Sequence, residues 1–152
     1  MTLKFYFTTG SSLGGAISAT ELNETPGSLF PNVTLAEATA GIKHYKCICV
    51  KNTGTTVIVN PGIYFSSSVE YSTSYMAKGL TGKNSTTEQT IANSTTAPTG
   101  NIIFQSPRFD HSPLRLGQLN PGDFIHVWLK RVLTINAPGE NSAYFVLTGV
   151  ET

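Results

Sequence analysis

A chain of 152 residues is long enough to bury one hydrophobic core and too short for two ordinary ones, so a single domain over 1–152 is expected. Charged residues make up 12% of the chain, about half the usual share for a globular domain, and the formal net charge is +1 with Lys130-Arg131 the only adjacent basic pair. That excludes an electrostatic footprint for nucleic acid or anionic lipid, and it leaves hydroxyls and amides to make the solvent face.

Taken in order, Leu3, Phe5 and Phe7 alternate with Lys4, Tyr6 and Thr8, the period-two pattern of a first strand ending at Gly10. Residues 11–40 hold neither period for long and carry the paired Gly14-Gly15 step and two prolines. They read as a long loop or docking arm that packs in patches through Leu13, Ile17, Leu29 and Phe30. Within them Thr34–Ala40 is expected as a short helix stopped by Gly41.

His44–Asn52 predicts a strand covered on both sides, with Ile48 and Val50 facing one way and Tyr45, Cys47 and Cys49 the other. Asn52-Thr53-Gly54 predicts a turn, Thr55–Asn60 an antiparallel return strand, and Ile63–Phe65 and Val69–Tyr75 two more. Lys78–Gly100 reads as loop, anchored by Leu80 and Ile91, with a weak edge strand near Gln89–Ala92; Asn101–Gln105 predicts a short strand.

The rest of the chain reads as partners for Leu116–Leu133. Pro121-Gly122 fits a tight turn opening onto a long strand, in which Ile125, Val127 and Leu129 make a core face. Phe124, His126, Trp128 and Lys130 make an amphipathic opposite face, suited to a second layer, a subunit contact or a ligand. Ala143–Val150 closes the domain as a last strand. Many short strands, turn signals about every ten residues and no long amphipathic helix predict an all-β fold, a single-domain antiparallel β-sandwich of jelly-roll-like or Greek-key type.

Chemistry-bearing patterns are sparse. No G-x-S-x-G elbow accompanies the serines, and Asp110-His111 are adjacent, so on an extended chain they point apart. His44, His111 and His126 fall in three separate segments and read as partly exposed histidines; Cys47 and Cys49, two apart on one strand face, read as core residues and are poorly placed to bond each other. No catalytic residue, metal ligand, cofactor, signal peptide or membrane span is expected. The N-x-[ST] triplets at Asn23, Asn32, Asn84 and Asn93 carry little weight in so Asn-, Ser- and Thr-rich a chain.

Three stretches carry a resemblance: GIKHYKCICVKNTGTTVIVNPGIYF (41–65), ANSTTAPTGNIIFQSP (92–107) and LGQLNPGDFIHVWLKRVL (116–133). They resemble segments of tailed-bacteriophage virion structural proteins, most of all capsid decoration or cement proteins. That likeness implies a non-enzymatic component of the phage head surface that binds the major capsid protein, as a trimer, and stabilises the shell. On that reading Leu13, Ile17, Leu29, Phe30, Phe124, His126, Trp128 and Lys130 are the expected contacts. A rival expectation is a glycan-binding module of a tail appendage, with Tyr71, Tyr75 or Trp128 stacking on sugars; an enzyme is the third.

Overall fold

A computed structural model describes residues 3–22, 35–65, 72–106, 113–133 and 147–150. The fold is all-β, as expected. Among the described residues eight strands form two antiparallel sheets: β1 (Leu3–Thr8), β2 (Ile17–Leu22), β3 (Lys43–Asn52), β5 (Ser72–Lys83) and β7 (Phe124–Leu133) in one, ordered β2-β1-β3-β7-β5. The smaller sheet has β6 (Leu114–Arg115), β4 (Gly62–Phe65) and β8 (Leu147–Val150), ordered β6-β4-β8.

The expected organising strand is one of the inner strands. β7 pairs with β3 from Lys43↔Val132 to Lys51↔Phe124 and with β5 along its other edge. Its entry turn closes as proline and glycine predict, with Gly122 at φ 87° and the Asp123 N–H donating to the Asn120 carbonyl at 2.9 Å.

Period-two alternation splits this sheet into two apolar faces. Ile48, Val50, Ile125, Val127, Leu129, Leu3, Phe5 and Met76 form one cluster with Ile58, Ile63, Leu114, Leu116 and Leu119, so one core is shared with the smaller sheet and its flanking segments. On the other face Tyr45, Cys47 and Trp128 pack with Ile91, and Leu13, Ile102 and Phe104 close over them. The sheet is therefore covered on both sides, as the composition of β3 predicts.

Several expectations need correction. Part of the supposed arm, Ile17–Leu22, is a strand paired with β1, because its backbone completes the sheet edge; 23–34, with Leu29 and Phe30, lie outside the described residues. Thr55–Asn60 is no return strand: both edges of β3 are taken by β1 and β7, and the segment makes only the bridge Ile58↔Leu119, with Val57 and Val59 exposed. β5 runs on to Lys83, through what reads as loop, since pairing with β7 outweighs the poor strand propensity of KGLTGK. Leu80 is exposed rather than an anchor, and Asn101–Gln105 contributes only the bridge Met76↔Gln105. The helix is Leu35–Ala40, ended by Gly41 at φ 65°, as expected.

Candidate functional site

Of the eight expected contact residues, Leu29 and Phe30 lie outside the described residues, and the other six do not form one surface. His126 and Trp128 are fully buried, under this chain's own Leu13–Gly15 and 88–104 segments, which correct their assignment as surface contacts: the amphipathic face meets a second layer. Phe124 and Lys130 are half-buried; the Lys130 ammonium sits 5.3 Å from the Tyr75 ring centroid and 5.4 Å from that of Phe104. Burial, and Lys43 nearby, lower its pKa. Leu13 packs on the second core and Ile17 opens β2, both half-buried.

Polar groups on this covered face are tied to structure. The Trp128 indole Nε1–H donates to Glu88 Oε2 at 3.2 Å, and the Thr81 hydroxyl donates to Glu88 Oε1 at 2.7 Å. Gly79 makes room for that carboxylate, since a Cβ there would collide with it. His126 Nε2 lies 2.6 Å from the Gly15 carbonyl and so donates to it, whereas buried His126 Nδ1 has no hydrogen-bond partner among the described residues. Burial, with Glu88 close by, pushes the Cys49 thiol up to about 12 and raises Cys47 as well; both are free thiols and inert core residues.

At the end of the first core lies a second polar group that the sequence does not announce. The Arg131 guanidinium donates to His44 Nδ1 at 2.7 Å, which fixes the tautomer: Nε2 carries the proton and donates to Glu37 Oε2 of the helix at 2.9 Å. His44 and Arg131 are 1% and 0% exposed, so the reading of His44 and His126 as partly exposed histidines is corrected; His111 lies outside the described residues. Burial first, then Arg131, lowers the His44 pKa, and burial brings that of Arg131 down to about 10. A neutral imidazole thus joins a guanidinium to a carboxylate, a structural relay fastening the helix to the sheet.

An open concavity among the described residues lies elsewhere, at the turn from β1 to β2. A cleft of about 410 Å³ is lined by Phe7, Lys46, the hydroxyl-rich turn Thr9–Ser12, and Ser18 and Thr20 of β2. Three successive turn residues, Gly10, Ser11 and Ser12, have φ of 66°, 66° and 60°. Only glycine takes that left-handed conformation freely, so the two serines cost roughly 1–2 kcal/mol each. Lys46 holds the turn by donating to the Ser11 carbonyl at 2.8 Å, and burial lowers its pKa. Sequence reading missed this cleft, although SS after TTG was its visible trace.

No group of three or more metal-ligating side chains occurs among the described residues. Comparison with protein-family models, curated proteins and solved structures finds no match to this chain.

Proposed function

We propose that the protein is a non-enzymatic virion component, a capsid decoration or cement protein that binds the outer face of the major capsid lattice of a tailed bacteriophage, as a trimer, and stabilises the head. The reading starts from the segment resemblance of 41–65, 92–107 and 116–133. The observation that carries it further is where those segments fall: they supply β3 and β7, paired through nine registered positions, and the bridge-bound cover over Trp128. Likeness in paired strands and in their cover is likeness of a rigid body, which is what a shell clamp requires.

Two sheets sharing one apolar cluster support the sandwich version of the fold, jelly-roll-like or Greek-key. Among the described residues four large apolar side chains remain exposed on a surface otherwise rich in hydroxyls and amides, Val57 at 48%, Val59 at 64%, Leu80 at 53% and Ile103 at 64%. With the strand face buried, these replace His126 and Trp128 as lattice-contact candidates. A protein that binds only the assembled shell stabilises it by mass action.

The test is imaging of particles together with a heat challenge. Density for this chain on the head surface, and heads that rupture at lower temperature once it is stripped, are expected. Density confined to the tail, or heads equally robust without it, sinks the proposal. The glycan reading loses Trp128, whose ring is fully buried; half-buried Tyr75 has Lys130 over one ring face, and Tyr71 lies outside the described residues.

A further inference from the structure

The cleft between β1 and β2 has the make-up of a ligand site. Its lining combines an aromatic ring (Phe7), one cation (Lys46) and several hydroxyls, with no Asp or Glu among the described residues. A volume of about 410 Å³ falls within the range of small-molecule pockets and is far larger than a lone inorganic anion needs.

The polar groups are not equally committed. Thr8 Oγ1 is spent, donating to the Cys47 carbonyl at 3.1 Å and accepting from the Gly14 N–H at 3.3 Å. Ser12 is different: it is 2% exposed, lines the cleft, and its Oγ has no hydrogen-bond partner among the described residues. An orphaned buried hydroxyl costs free energy that a ligand group recovers on binding. The Lys46 ammonium has three donors, one of them on the Ser11 carbonyl, and its incomplete hydration favours an anionic partner.

We propose that this cleft binds a hydroxylated small molecule bearing one acidic group, the chemistry shared by sugar acids and sugar phosphates. Lys46 takes the acidic group, the hydroxyls of Ser12, Ser18 and Thr20 exchange hydrogen bonds with those of the ligand, and Phe7 meets its C–H face. Hydroxyls suit this task because each both donates and accepts. The assignment rests on the cleft alone and is independent of the capsid reading, so failure of either leaves the other standing.

The experiment titrates the full chain with D-glucuronate, D-glucose 6-phosphate and D-glucose, followed by calorimetry and by amide NMR shifts. Saturable binding of an acidic sugar near about 1 mM, shifting the Ser11, Ser12 and Ser18 amides, is expected, with glucose at least about tenfold weaker. Preference for glucuronate assigns a carboxylate ligand, and preference for the phosphate a phosphorylated one; either supports the site. Lys46→Met should abolish the preference for acidic over neutral sugar. Ser12→Ala should bind about fivefold more weakly while its Tm stays level or rises, since no made hydrogen bond is removed. If Ser12→Ala fails to fold, Thr20→Val replaces it with the same expected loss of affinity. No saturable shift with any of the three sugars at about 10 mM, equal binding of glucose, or an unchanged preference in Lys46→Met overturns the proposal.

Discussion

Asn52 shows how much of the fold one side chain can organise. It is fully buried at the end of β3; its Nδ2 donates to the carbonyls of Thr56 at 2.8 Å and Leu119 at 3.0 Å, and its Oδ1 accepts from the Gly54 N–H at 2.9 Å. Its backbone meanwhile bonds Asp123 and Gly122, so the turn after β3 and the turn before β7 share one hub. Asn52→Ala leaves these groups orphaned and should lower unfolding stability by about 2–4 kcal/mol, read as a drop in urea midpoint at constant slope. His44 sets the pH response at the same scale. Its folded pKa lies below 6.5 because of burial and Arg131, with Glu37 opposing and Lys46 adding to the depression. The unfolded chain therefore binds a proton that the folded chain refuses, and this contribution to stability is present above pH 6.5 and is lost as pH falls through the folded value. Urea midpoints should decline between pH 7.5 and 5, and the His44 ring resonances should titrate with a midpoint below 6.5; a midpoint above it would contradict the relay.

Among elements, β1, β3 and β7 were legible because each carries an unbroken period of two, and Cys47 and Cys49 were legible as core because strand geometry puts them beside Tyr45. What covered the Trp128 face was not legible. The 84–106 segment has almost no apolar period; it is held by amide and hydroxyl ties such as the Gln89 side chain, which bonds the Thr99 carbonyl and N–H at 2.7 Å each, as a paired strand would. Such ties depend on loop conformation, not on residue spacing. Nor could spacing bring Glu37 and Arg131 to His44, since those contacts span the helix and two strands. Ile91, at 5% exposure, pins the cover beside Trp128. Ile91→Ala should cost about 2–4 kcal/mol, and the sole tryptophan should shift its emission to the red and become quenchable by acrylamide. Gly79→Ala forces a methyl against the Glu88 carboxylate and should destabilise by about 1–3 kcal/mol, disturbing the same emission.

Across the whole molecule, both apolar clusters share the strands β3 and β7, so neither can dissolve while the other persists. Unfolding followed by Trp128 fluorescence, which reports one cluster, should coincide with unfolding followed by far-ultraviolet circular dichroism, which reports the strands. Two separated midpoints would show the cover to be an independent unit. Because the surface is rich in hydroxyls and amides and the net charge is only +1, the proposed attachment to a capsid is expected to depend weakly on salt. The two thiols at the heart of the sheet then act as a clock. Cys47 and Cys49 are 0% exposed on strands hydrogen-bonded along both edges, so a maleimide reaches them only when β3 parts from its neighbours. Their alkylation rate measures sheet opening without any added label, and on the proposed capsid reading a comparison of that rate for the free chain and for the chain bound to heads would measure how firmly the lattice holds it shut.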